Sequence, residues 1–339
     1  MSAFDALLDR LPRASLIVGK GGVGKTTCAV AVAAAFARRR ERTLIVSTDP
    51  AAALADVIGG TVATAEAPVA GEPHLYARQL SASQLRGEFL DRWRETIAEI
   101  VDRGTYLDRV DIDGLVDAAL PGVDEIFALL ALADLLADPS SEYVRLVVDT
   151  APTGHALRLL ALPELALAWD HALLGLLLKY RAAAPPGPLA AELVELARSL
   201  RRFRALLADP ARARFVAVTR AGELPRRETA RLLAALEALG IAPAAILANA
   251  LPAPRPARSN RARADRVGRA GFCPRCASEA AAAERELAAL AKRAGSLSAR
   301  PVEAAARRPA LISAPLEIPP PRGAAALRAW ARSWRIEGR

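Results

Sequence analysis

Residues 15–27 read SLIVGKGGVGKTT. An apolar, β-branched run ends at Gly19, and Gly24-Lys25-Thr26 then opens the alanine-rich stretch TTCAVAVAAAFARR, whose residues favour helix. Strand, glycine-rich turn and helix in that order, with the spacing G-x4-G-K-[ST], describe a phosphate-binding loop. The residue types follow from the ligand. Gly19, Gly21, Gly22 and Gly24 let backbone N–H groups of the loop, those of Lys20 and Val23 included, point inward at phosphate oxygens, and the helix N-terminus adds its positive end. Lys25 is expected to reach the β- and γ-phosphates of ATP, and the Thr26 hydroxyl to complete the shell of a Mg²⁺ ion, with Thr27 closing the nucleotide-contacting set. The alternative, a chance glycine-rich turn, is disfavoured by the flanking strand and helix.

Working outward, six more short apolar runs predict strands: 43–47, 75–80, 145–149, 214–219, 244–249 and 310–314. Helical stretches separate them. The pattern predicts an α/β fold, a mostly parallel P-loop NTPase sheet with helices on both faces. Residues 1–339 are read as one ATPase domain. The intervals 81–143 and 157–210 are too long for single crossover helices and are expected to form an inserted helical subdomain. Hydrophobic residues make up 53% of the chain and aromatic residues only 4%, so the core should be built from Ala, Leu and Val.

The net charge of +9 comes from dispersed arginines, since the lysines are only Lys20, Lys25, Lys179 and Lys292. No basic run is interleaved with stacking aromatics, so nucleic acid is not an expected partner. Three cysteines exclude a disulfide-built scaffold, and no stretch reaches the roughly 20 apolar residues of a membrane span. The N-terminus lacks signal-peptide pattern, and the cytoplasm is the expected compartment.

A phosphate loop needs one lysine, and Lys20 is a second. KGGVGKT, with STDPAAALAD (47–56), LPGVDEIFALL (120–130) and VVDTAPTGHALRLLALP (147–163), resembles the arsenite-transport and tail-anchored-protein-targeting ATPase family. Members carry a deviant Walker A loop and the run DTAPTGH. The resemblance covers nearly the whole chain, from Gly19 to segments near Asn249 and Pro315. It implies a homodimer in which Lys20 crosses the interface to the partner's nucleotide, a catalytic role shared with Lys25 and Asp49. A solvent-facing Lys20 is the alternative. Asp49 matches the switch aspartate that orients the attacking water, and Asp149 the carboxylate that binds a water on Mg²⁺. Either could instead be a helix cap or turn residue. Thr150 to His155 match a second switch. Asn249 and Pro315 match adenine-side positions, with turn and breaker roles as alternatives. The family's polar residues after the first switch are Ala52 and Ala53 here, so hydrolysis or its dimer coupling is expected to depart from the family pattern.

Cys273 and Cys276 form a C-x2-C pair. Two chains together supply the four thiolates of a structural zinc, and the resemblance implies such a Zn²⁺ shared across the dimer. A redox pair or inert thiols are the alternatives. Residues 164–180, ELALAWDHALLGLLLKY, are apolar around most of a helical circumference. They read either as a core helix or as the wall of a groove, joined by Leu115, Val116, Leu120, Ile126, Phe127, Leu130 and Leu135, for another protein's apolar helix. Three functions remain open: ATP-driven dimer closure that binds and delivers hydrophobic, tail-anchored-like membrane segments; the ATPase subunit of an arsenite efflux pump with a membrane-embedded partner; and a partitioning-type ATP switch. The last would use the basic tail ALRAWARSWRIEGR, with its two tryptophans, as a surface-binding element.

Overall fold

A computed structural model describes residues 2–49, 53–81, 83–88, 91–92, 123–138, 141–150, 187–241, 243–252, 274–296 and 309–337. All seven apolar runs are strands, their ends shifted by at most two residues. They are β1 (Ala14–Gly19), β2 (Thr43–Ser47), β4 (Leu75–Gln79), β5 (Arg145–Asp149), β6 (Ala213–Arg220), β7 (Ala245–Leu251) and β8 (Ala310–Pro315). Two short strands lay below the reach of sequence pattern: β3 (Ala67–Pro68) and β9 (Arg335–Ile336), each of only two residues. The order is β3-β4-β2-β5-β1-β6-β7-β8-β9. The seven longer strands are parallel, and β3 and β9 close the two edges in antiparallel pairing. Short antiparallel edges blunt a sheet against further pairing.

All six residues of β1 are buried, as a central parallel strand covered on both faces requires. Its alternation divides the core: Ile17 faces one layer, Leu16 and Val18 the other. The first layer is filled by α2 (Lys25–Arg38), whose run of alanines and valines lets the helix lie close on the sheet, together with α1 (Ala3–Leu8) and α8 (Ala324–Ala331). The other layer holds the C-terminal parts of α4 (Val123–Ala137) and α5 (Gly187–Ala208), then α6 (Glu223–Ala238) and α7 (Pro274–Ser296), through Leu132, Phe203, Leu232 and Leu290 among others. A further helix, α3 (Ala53–Ile58), packs beside α2.

α4 and α5 are the described ends of the two long intervals; they pack together, with a Ser199–Asp134 contact of 3.2 Å. Most of the rest of those intervals, 93–122 and 157–186 with the stretch 164–180, lies outside the described residues, as do 151–156 with His155. Of the groove residues, Leu115, Val116 and Leu120 lie outside them too, for Ile126, Phe127 and Leu130 only the backbone is described, and Leu135 is half-buried against the core.

The tail corrects one sequence expectation. Trp330 and Trp334 are not a surface element: both are buried, 5% and 3% exposed, against α1 and α2. Trp334 stacks edge-on against Phe4 and Trp330 at 4.9 and 5.2 Å, and Trp330 Nε1 donates to the Pro315 carbonyl. Two indoles in so aromatic-poor a chain gain more from core burial than from an exposed basic stripe. Among the described residues no helix is long and apolar enough to cross a membrane.

Candidate nucleotide site

From β1 the chain crosses to β2 on one side of β5, whereas β5 is followed by β6 on the other side of β1. The direction of winding reverses there, and a crevice opens at the carboxyl ends of these strands. The loop 19–24 lies in it. A Cβ on Gly19 would stand 2.3 Å from the Val218 carbonyl oxygen, so β6 leaves room only for glycine. Gly24 caps α2 with a left-handed φ of 90°, and a Cβ there would meet Asn249 Nδ2 at 2.3 Å. No side chain caps the first turn of α2, so its leading N–H groups face the crevice without a side-chain acceptor.

Lys25 is only 5% exposed, with Nζ 3.4 Å from the Lys20 carbonyl oxygen. Burial lowers its pKa, while Asp149 and Asp49 pull it back up. It is a buried cation balanced by two carboxylates. Asp149 ends β5 fully buried; its Oδ2 accepts from the Thr26 hydroxyl at 2.8 Å and the Ser47 hydroxyl at 3.4 Å. Its Oδ1 is buried with no hydrogen-bond partner among the described residues. Oxygen donors only, one of them ionisable and one atom unsatisfied, suit a hard cation of the Mg²⁺ kind.

Asp49 lies just beyond β2. Its N–H approaches Ser47 Oγ at 3.3 Å, and its carbonyl accepts from the Gln79 side chain at 2.7 Å. Thr150 is pinned to the Ile17 carbonyl by its hydroxyl, 2.9 Å, and its N–H, 3.2 Å. The rest of the second switch is outside the described residues, as are Ala52 and Cys273; Cys276 lies in α7, where its side chain is not described. Ala53 begins α3.

Sequence reasoning therefore named Lys20, Lys25, Thr26, Asp49 and Asp149 at one crevice. It missed Ser47 and Gln79. Ser47 sat in the quoted switch run without a role; Gln79 carried no signal at all.

Asn249 and Pro315 part company. Asn249, 7% exposed, donates Nδ2 to the Val23 carbonyl at 2.8 Å and accepts the Ala250 N–H at 2.7 Å, so it braces the phosphate loop from below. Pro315 lines a cavity of about 330 Å³ with Leu251, Leu287, Ser313 and Arg335.

Burial pushes the Asp149 carboxyl up to about 6 against the opposing Thr26 bond and Lys25 charge. The unfolded reference is 3.8, so the folded protein binds this proton more tightly. That stabilisation is present below roughly pH 4 and is lost as pH rises through about 6. Near neutral pH the ionised carboxylate therefore destabilises the nucleotide-free protein. Asp149→Asn is expected to stabilise it by roughly 1–3 kcal/mol at about pH 7.5, with the difference vanishing near pH 4. Thermal unfolding of both proteins at the two pH values checks this; an Asn variant that melts lower near neutral pH would contradict it.

Residues 13–264 match the family model described as anion-transporting ATPase. The chain belongs to the anion-transporting ATPase family. This member of the family is 32% identical over 287 residues to ATPase GET3B of Arabidopsis thaliana, covering 75% of this chain and 68% of that one. It is 31% identical over 239 residues to an arsenical pump-driving ATPase of Escherichia coli, covering 69% of this chain and 38% of that one. With the ATPase ASNA1 homolog of Cryptosporidium parvum it shares 38% identity over 147 residues, 43% of this chain and 37% of the relative. The chain thus spans about two thirds of one relative and well under half of the others. Its class of chemistry is that of an ATPase.

Proposed function

We propose that the chain is a cytoplasmic, homodimeric Mg²⁺-ATPase whose ATP-driven closure captures and delivers hydrophobic, tail-anchored-like membrane segments. The observation that carries the ATPase half is the Thr26–Asp149–Ser47 cluster beside buried Lys25. Loop N–H groups of Gly19 to Thr27 hold the phosphates, and Lys25 meets the β- and γ-phosphates, its charge held in a dry site by two carboxylates. Thr26 and Asp149, the latter through a water, would hold Mg²⁺, which when bound neutralises charge on the phosphates. Asp49 orients the attacking water, its backbone held to Ser47 and Gln79. Lys20 of each subunit serves the partner's nucleotide as a trans cation. Asn249 retains an acceptor lone pair for the base, and Pro315 lies on the same side of the sheet end.

Capture belongs to the helical subdomain of 81–143 and 157–210; Cys273 and Cys276 of both chains would together hold one Zn²⁺, which would tie the dimer. Relatives named GET3B and ASNA1 homolog stand beside an arsenical pump-driving ATPase, so they support the ATPase and keep the pump subunit as the second reading. It is tested with Asp49→Asn dimer preparations, analysed for one zinc per two chains and titrated with a model C-terminal membrane segment. Binding is expected with Mg²⁺-ATP and at least about tenfold weaker with ADP, since closure must favour the segment-binding state by that differential affinity. Equal binding in both states, with turnover stimulated by arsenite, would move the reading to a pump subunit with a membrane-embedded partner.

A further inference from the structure

The first switch leaves the sheet between two neighbours. On one side Thr48 N–H donates to the Asp149 carbonyl of β5 at 3.0 Å. On the other, the β2–β4 ladder ends at the pair Ser47 and Gln79, and Leu80 N–H closes it on the Ser47 carbonyl at 2.9 Å. Beyond this point backbone pairing to β4 stops, and a side chain takes over. Gln79 Nε2 lies 2.7 Å from the Asp49 carbonyl oxygen, 3.3 Å from that of Ser47 and 3.4 Å from that of Leu80. The first of these is short and well within hydrogen-bond range; the other two are marginal. An amide is suited to this place because it donates without carrying charge, and a glutamine is long enough to reach Asp49, two residues past the last ladder pair. Strand alternation separates it from Arg78, which turns away to the Thr64 carbonyl and Glu66. A chain of contacts then runs Gln79, Asp49 backbone, Ser47 hydroxyl, Asp149, Thr26.

We propose that Gln79 is a positioning residue for hydrolysis: its side-chain amide extends the β2–β4 pairing to Asp49 and so fixes the carboxylate that orients the attacking water. The inference rests on the reading of Asp49 as that group. A catalytic group displaced by about 1 Å can lose on the order of 100-fold in rate while substrate binding is untouched, because only the reacting geometry is lost. The Gln79 side-chain hydrogen bonds go to Ser47, Asp49 and Leu80 and to no phosphate-loop residue, so its loss is expected to act on turnover and not on nucleotide affinity.

The test uses the full chain with Gln79→Met, which keeps length and loses the donor, and Gln79→Glu, which keeps shape and sets a carboxylate against carbonyl oxygens. Expected are a fall in kcat of about tenfold for Met and a larger one for Glu, with Mg²⁺-ATP affinity within about twofold and the melting temperature of the Met variant unchanged. Single-turnover rates of Asp49→Asn and of the Asp49→Asn, Gln79→Met double variant complete the cycle. If Gln79 acts through Asp49, adding Gln79→Met to Asp49→Asn costs nothing further. Unchanged kcat in both Gln79 variants, beside an inactive Asp49→Asn, overturns the inference and leaves the Asp49 reading standing. Parallel losses of kcat, affinity and melting temperature overturn it in favour of a structural role. Normal turnover by Asp49→Asn overturns the Asp49 reading, and this inference with it.

Discussion

Lys25→Ala is expected to weaken ATP binding by about 100-fold or more. Two terms act in the same direction. On the proposed role of buried Lys25, the phosphates would lose a charge-assisted contact in a site shielded from water. Asp149 and Asp49, whose charges raise the Lys25 pKa against burial, lose the cation that balances them. A 100-fold loss corresponds to roughly 2.7 kcal/mol of binding free energy, the scale of one charge-assisted contact in a buried site. In the nucleotide-free variant the proton taken up by Asp149 relieves part of that imbalance, so the chain should still fold. Calorimetric titration with Mg²⁺-ATP is the measurement; an affinity within tenfold of the unmodified chain would remove Lys25 from the phosphate site.

Lys20→Ala should behave differently. Its backbone carbonyl belongs to the loop and contacts Lys25, and that contact survives the substitution. ATP binding should therefore change little, while kcat falls on the order of 10³-fold, the scale of a cation supplied across an interface to a transferring phosphoryl group. The trans role has its own signature. Lys20→Ala and Asp49→Asn chains are each expected to be inactive as homodimers, yet mixed dimers pair an intact Lys20 with an intact Asp49 at one of their two sites. Turnover should reappear on mixing and pass through a maximum near equal proportions. Inactivity at every ratio, in mixtures shown to exchange subunits, would make Lys20 a residue of its own loop only.

How much of this was legible beforehand depended on range. The seven longer strands could be read because each is a continuous apolar run bounded by polar or turn residues, a property of a few adjacent positions. The phosphate loop was legible for the same reason: six consecutive residues, 19–24, and the helix they open. The partition of Trp330 and Trp334 was misread because a short basic stretch with two indoles looks alike on a surface and in a core; what decides is whether α1 and α2 offer an apolar wall, and Phe4, Leu7 and Leu8 do. β3 and β9 owe their existence to the edge strands beside them, and two residues carry no period.

The sequence by itself determined the strand–loop–helix unit at Gly19 to Thr27, the mostly parallel α/β sheet and the family, because these depend on local spacing and on motifs written contiguously. Only the tertiary structure decided which groups share the site. Thr26 and Asp149 meet at 2.8 Å across 123 positions of chain, Asn249 reaches Val23 across 226, and Gln79 reaches Asp49 across 30. Each of these contacts exists because strand order places the ends of β1, β2, β4, β5 and β7 along one rim. That order is set by how two hydrophobic layers are filled, a sum over residues distributed through most of the described chain. A glutamine at the end of an edge-side strand acquires its partners from that sum, and no pattern around position 79 could announce them.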